Sequence, residues 1–516
     1  MTEEHKIRNP SVTLYPFHLR DDFDAGFQAV AQNASDLWKT LADDVGKQLN
    51  IPELESLRDY LICYENGIYK QENEQVNNQE LTRDGKTLLF QQRSLPDNLI
   101  LNGSILPLRI HDTYTADLTL SYQNLTVTLD KLKLLNPNGC LLPNQIQASL
   151  GQTILLYAEP VVYDDYRSLA DNCLKAFLPD KFEPVPKFIS EGKLFGSPIF
   201  EYDNRNINPA QRCHVLVWLK RHPDTLKLAT AKFNYYLLNL LCSRAKIVFA
   251  YQKSREWYRE GQRIASEIET EIPAFAQIEN EPNTENRLRQ LKELLARIRT
   301  KVFQYTGCLR NLREYHNTIV NNAENYGEAL AEIQSLTLEG DNLEFWQNFL
   351  NLAENKYQQQ IQADLGYLFP SQELFREMIS TIRGMVEIEQ VESDRIWQDD
   401  ENRREREWRE NLAKQETAER EQERQAEEKV QKQEDREKER DRKLQDIIFF
   451  FGTAVGAGGI FCTSYALTTT VPIKWQIDPS LPIHPFVWSI LWSIIFGLAI
   501  GGLVLCILVL LRKLFK

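Results

Sequence analysis

From Met385 to Phe451 the chain contains neither proline nor glycine, and the stretch runs directly into an apolar segment. Its middle, Glu401 to Lys443, is two-thirds charged, with 15 acidic and 14 basic residues. Pairs such as Glu405–Arg409, Glu410–Lys414, Glu428–Lys432 and Glu434–Lys438 stand four apart with the acid first, the better orientation on a helix. Nothing there breaks a helix, so the segment predicts a rod of about 100 Å at 1.5 Å per residue. Apolar residues are sparse within it (Trp408, Leu412, Ala426, Val430), so it has no continuous seam.

Two segments meet the requirement of about 20 apolar residues for a bilayer span. Ile447 to Leu467 is uncharged throughout, and so is Pro485 to Leu511. Residues 468–484 between them make a short loop with one lysine and one aspartate. Arg440, Arg442 and Lys443 precede the pair, and Arg512, Lys513 and Lys516 follow it. The positive-inside bias therefore predicts both chain ends in the cytoplasm. Trp475, Trp488 and Trp492 would form the outer aromatic belt. The opening MTEEHKIRNPSVTLYPF has no apolar run of signal-peptide length, so the N-terminal part is expected to stay where it is made.

A chain of 516 residues has material for two or three units. Its net charge of −13 excludes a nucleic-acid partner, since phosphate binding needs a basic surface. Eight scattered cysteines with no C-x-x-C pair read as buried free thiols.

Residues 1–80 read as mostly helical, with Ala25–Leu49 and Pro52–Tyr64 as the main helices and Gln71–Glu80 as a loop. Residues 84–220 read as β-rich. In Thr115–Tyr122 and Leu125–Asp130, Leu118, Leu120, Leu125, Val127 and Leu129 alternate with polar residues about a Gln123-Asn124 turn, which predicts a hairpin. Further strands are predicted at Thr87–Gln92, Leu106–His111, Thr153–Ala158, Pro198–Tyr202 and His214–Leu219, with a proline-marked loop ahead of the last two. After Pro223 the pattern turns helical, beginning with Asp224–Glu260. Leu288, Leu291, Leu295, Ile298, Val302, Tyr305, Leu309, Leu312, His316 and Ile319 follow a strict 3,4 spacing, a coiled-coil seam. Leu343, Trp346, Leu350, Ala353 and Tyr357 repeat it, which predicts an antiparallel pair of these two helices ending at Pro370.

Motifs for chemistry are sparse. Asp84-Gly85-Lys86-Thr87 matches only the tail of a phosphate loop and reads better as a turn before a strand. His316 on the seam fixes register more readily than it senses pH. No nucleotide, triad or metal signature appears, so no enzyme or cofactor is expected, and local spacing assigns no metal ligands. Gly452, Gly456, Ser489, Ser493, Gly497 and Gly501 place small residues four apart in the apolar runs. That spacing suits tight helix packing, or a pore lining.

The order of parts resembles the CorA family of divalent-cation channels, which have a cytoplasmic α/β domain, antiparallel helices, a stalk helix continuous with the first span, a second span and a basic tail. The resemblance covers 84–220, 284–365, 371–467, 468–484, 485–511 and Arg512–Lys516 in that order. The family's Gly-Met-Asn signature is absent. The matching region reads Cys462-Thr463-Ser464-Tyr465-Ala466-Leu467, so no ion-site residue carries over.

The resulting expectation is an α+β cytoplasmic domain (1–222), a helical coiled-coil region (223–369), a charged stalk (370–446), spans at 447–467 and 485–511 about an outer loop (468–484), and a tail (512–516). The expected function is a membrane-anchored homo-oligomeric sensor or scaffold with a cytoplasmic protein partner, pentameric if the resemblance extends so far. The alternative is a CorA-type cation channel of altered selectivity.

Overall fold

Alternating apolar and polar residues carry the N-terminal part of the chain into one large sheet. The computed structural model describes residues 6–21, 30–72, 78–94, 99–162 and 165–415, with positions 448, 507 and 510. It divides into two units, Met1–Ser393 and Asp394–Lys516. Apart from those three positions, both apolar runs, the charged stretch beyond Gln415, and Gly452, Gly456, Ser489, Ser493, Gly497 and Gly501 lie outside the described residues.

The strands are β1 (Lys6–Leu19), β2 (Tyr64–Glu65), β3 (Ile68–Tyr69), β4 (Asn78–Glu80), β5 (Leu88–Ser94), β6 (Leu99–Ile110), β7 (Thr113–Ser121), β8 (Thr126–Thr128), β9 (Gly151–Pro160), β10 (Lys187–Leu194), β11 (Ser197–Asp203) and β12 (Cys213–Leu219). β2 and β3 pair only with each other. The rest form a ten-stranded sheet in the order β10-β11-β12-β9-β1-β7-β6-β4, with β5 added on β6 and β8 on β1. Every pairing is antiparallel except β12 on β9.

Four short helices lie near the start, α1 (Asp36–Thr40), α2 (Lys47–Leu49), α3 (Pro52–Glu55) and α4 (Leu57–Tyr60), with a π-helical turn between the first two. α5 (Tyr166–Phe177) begins where Asp165 accepts the Ser168 N–H at 3.0 Å, a side-chain cap for an otherwise unpaired donor. On one sheet face Leu118, Leu120, Ile154 and Val215 pack with Trp38, Leu41 and the α5 residues Leu169 and Phe177.

The other face is covered by long helices. After the short α6 (Thr225–Leu228) come α7 (Ala231–Glu269), α8 (Glu271–Glu279), α9 (Thr284–Ser335), α10 (Glu344–Leu352) and α11 (Gln359–Gln415). Thr230 caps α7 by accepting the Phe233 N–H, and Asn283 caps α9 through Asn286. Phe233, Leu237 and Leu241 of α7 join Phe17, Leu155, Leu216 and Trp218 of the sheet in a second core. On β10, Gly192 permits a close approach to the start of α10. A Cβ there would meet the Phe345 ring at 2.5 Å and the Asn342 carbonyl at 2.6 Å.

Four expectations are corrected. Residues 1–80 are less helical than expected: β1 is a strand at the centre of the sheet, paired with β7, β8 and β9. Its prolines sit where the ladder is irregular. The β9 register shifts between Arg8 and Ser11, around Pro10, with Asn9 at φ 49°. Pairing with β7 skips from Leu14 to Phe17, past Pro16, which has no N–H to give.

Gln123-Asn124 is not a hairpin turn. Asn124 does adopt a left-handed φ of 57°, but β8 continues past β7 along the same strand, β1, instead of folding back.

The α9 seam packs mainly on α7, and α9 runs antiparallel to α11 as well. Residues Leu343–Tyr357 form a second wall. There Phe349 meets Tyr326 at 5.2 Å, and Tyr357 stacks on Tyr251 of α7 at 3.9 Å.

Finally, Pro370 does not end a helix but lies inside α11. Leu368 and Phe375 on either side of it are buried, and the Tyr305 hydroxyl donates to the Leu368 carbonyl at 2.5 Å. Tertiary packing of this kind supplies most helix stability in proteins and outweighs one lost backbone bond.

Candidate functional site

Charged residues of the sheet converge where it meets α7. Glu201 and Asp203 stand two apart on β11, so both project to the α7 side. His214 of β12 is paired across from Asp203, and Arg212 precedes it. From the helix, Arg244 Nη2 donates to Glu201 Oε1 and Asp203 Oδ2, each at 3.1 Å. Arg212 closes on Asp203 with Nε and Nη2 at 2.8 to 3.1 Å. The Ser190 hydroxyl donates to Glu201 Oε2 at 2.6 Å. On its far side the Arg244 guanidinium lies 4.9 Å from the Phe349 ring centroid, a cation–π contact.

Four of these groups are almost sealed from water: Glu201 is 5% exposed, Asp203 2%, His214 2% and Arg244 7%. Burial pushes the Glu201 carboxyl up, but the His214 hydrogen bond and the Arg244 charge hold it down at about 2. Burial likewise opposes ionisation of Asp203, and the Arg212 and Arg244 charges keep it well below the usual carboxylate range. For His214, burial and the Arg244 charge lower the pKa. A neutral imidazole fits both its contacts. Nε2–H donates to Glu201 Oε1 at 3.0 Å, and Nδ1 accepts from the Thr153 hydroxyl at 2.9 Å. Two carboxylates, two guanidiniums and one neutral ring balance to zero charge.

Thr153–His214–Glu201 has the row geometry of a nucleophile, base and orienting acid. Such a row works only if the hydroxyl meets substrate. Thr153 is 3% exposed, and the adjoining cavity between Gln152, Arg212, His214 and Arg244 measures about 10 Å³, room for about one water. The row is therefore a joint between sheet and helix, in which every charge has a partner.

A second buried set lies just past Leu19, on the β7 side of the same end of β1. The Arg109 guanidinium and the Tyr114 hydroxyl donate to Glu72 at 3.0 and 2.6 Å, and Arg20 pairs with the same carboxylate at 2.8 Å. Lys246 of α7 pairs with Asp112, tying the β6–β7 turn to the same helix.

The seam residues of α9 divide. Leu291, Ile298, Tyr305, Leu309, Leu312 and Ile319 are buried, while Leu288, Leu295, Val302 and His316 are half-buried. His316 Nε2 lies 3.1 Å from Gln362 Nε2 of α11. Asp84-Gly85-Lys86-Thr87 is a turn, with Gly85 at φ 64° and the Lys86 N–H donating to Asp84. Cys63, Cys140, Cys173, Cys213, Cys242 and Cys308 are free and buried. Among the described residues no group of His, Cys, Asp or Glu could hold a metal ion, and no helix is long and apolar enough to cross a membrane.

Sequence reasoning missed the joint because its members are spread from Thr153 to Arg244. One local signal was present. Two acids stand two apart in an otherwise apolar strand, followed at Arg212 and His214 by two cationic-type residues at the same spacing. No protein-family model matches the chain, and no curated protein sequence matches it.

Proposed function

We propose that the chain is a membrane-anchored homo-oligomeric sensor or scaffold. Its N-terminal unit lies in the cytoplasm and receives a ligand or protein partner. Residues 447–467 and 485–511 cross the bilayer as a hairpin, with both chain ends on the cytoplasmic side. The observation that carries this reading is the length and continuity of α11. Its 57 residues begin among the packed helices, pass Pro370 and reach Gln415 inside the Pro- and Gly-free stretch. A sheet bolted to α7, a helix layer bolted to α11 through Arg287–Glu389 at 2.7 Å, and a charged stretch leading to apolar runs together make a mechanical line.

The apolar runs contain no ionisable residue that could mark an ion relay. This favours anchoring over conduction. Small residues at four-residue spacing in both runs favour close helix association and hence an oligomer.

The deciding experiment pairs a reporter fused after Lys516 with ion flux in liposomes. A cytoplasmic reporter, a mass above the monomer in detergent, and no cation flux are expected. An external reporter would overturn the topology. Robust magnesium flux abolished by bulky substitution at Gly452 or Gly456 would replace the sensor reading with a channel.

A further inference from the structure

A groove with about 140 Å³ of room lies between the α5–β10 connection and the β11–β12 connection. Lys181, Phe182 and Glu183 form one side, Asn206 and Gln211 the other, and Asn144 closes it. We propose that this groove binds a small zwitterion of the free amino-acid type. The proposal rests on the sensor reading above, for which it supplies the ligand.

Lys181 and Glu183 are exposed and have no ion-pair partner among the described residues. They stand two apart in the chain and line the same small space. An ammonium and a carboxylate so placed match a ligand carrying one of each, through charge-assisted hydrogen bonds. A simple anion or cation would leave one of them unmatched, and a neutral sugar would meet both through uncharged hydroxyls alone, the weaker kind of hydrogen bond. The amides of Asn144, Asn206 and Gln211 add donors and acceptors for a polar side chain, and the room available suits a small ligand.

The opposite wall is built to hold still. Asp203 Oδ1 accepts the Arg205 N–H, Asn204 the Asn206 N–H, Asn206 the Asn208 N–H and Asn208 the Ala210 N–H, at 2.7 to 3.2 Å. Side chains that fold onto the backbone two residues on fix a loop in this way, and a fixed wall lowers the ordering cost of binding.

The same wall is wired to the joint. Its first residue, Asp203, is the carboxylate shared by Arg212 and Arg244. Gln252 of α7 donates to the Asn206 carbonyl at 3.1 Å. A ligand drawing on Asn206 and Gln211 therefore bears on the contacts that hold the sheet to α7.

The test is calorimetric titration of the full-length protein in detergent with L-glutamine as probe, alongside glucose. Glutamine is expected to bind in the millimolar range and glucose not at all. Lys181→Ala and Glu183→Ala should each weaken binding about tenfold, the scale of one charge-assisted contact. Thermal unfolding of both variants should match that of the parent, since both side chains are exposed. No heat with glutamine, equal binding by both variants, or glucose binding in its place would each overturn the assignment. The reporter and flux measurements above are independent of this result, so a failed ligand and a failed topology are told apart.

Discussion

Arg244 of α7 meets Glu201 of β11 at 3.1 Å, with the two side chains only 9% and 6% exposed. Removing one partner from such a set leaves a buried charge without compensation, at a cost of about 3–5 kcal/mol. Arg244→Met is therefore expected to lower the urea midpoint strongly, because it strands both Glu201 and Asp203. Arg263, half-exposed between Glu260 and Glu267 on α7, is the control. Arg263→Met should barely move the midpoint, since solvent screens exposed pairs. Similar midpoints for the two variants would show that the joint does not hold the sheet to the helix.

Acid should loosen the protein in two stages. His214 and His18 have lowered pKa values in the folded chain, mainly through burial. The unfolded chain therefore takes up protons first as pH falls below about 6.5, and the stability tied to neutral histidine drains away from there. Glu201 is held at about 2 against an ordinary 4.5. Its contribution, roughly 3 kcal/mol, is present above pH 4.5 and lost as pH falls towards 2. Chemical unfolding from pH 8 to pH 3 checks this. His214→Gln should remove the His214 share of the first stage, keep the His18 share, and shrink the second, because His214 helps hold Glu201 down.

Beyond Gln415 the proposal requires helical continuity and little side-chain specificity. Ala426→Pro removes a backbone hydrogen bond and clashes with the preceding turn, at about 3 kcal/mol of local stability. Glu423→Lys should cost only tenths of a kcal/mol, about one i,i+4 pair. Limited proteolysis of residues 416–446 is expected to accelerate with the proline and stay unchanged with the lysine, with both proteins still in the membrane fraction. Equal cleavage would make the stretch a flexible tether.

Long-period signals were the most legible in the chain. The helical region after Pro223 and the strands between 84 and 220 stand out because each repeats its pattern over many residues, as with Leu291, Ile298, Tyr305 and Leu312. β1 was hidden because Pro10 and Pro16 interrupt its alternation; the register shift around Pro10 and the pairing skipped at Pro16 reconcile them with a central strand. α11 was cut short on paper at Pro370 because the compensating contact, Tyr305 to the Leu368 carbonyl, lies 63 residues away in sequence. The joint has the same cause on a larger scale. Glu201 and Arg244 are 43 residues apart, and no local spacing announces that a strand and a helix will meet there.

The central claim is that the sheet and α11 respond as one through α7 and α9. Hydrogen–deuterium exchange of the full-length protein, comparing the parent with Arg244→Met under folding conditions, tests it most directly. The account predicts faster exchange at β11 and β12, at the Arg287–Glu389 clasp, and along α11 around Phe375 and Ile382. Faster exchange confined to β11 and β12, with α9 and α11 unchanged, would contradict it.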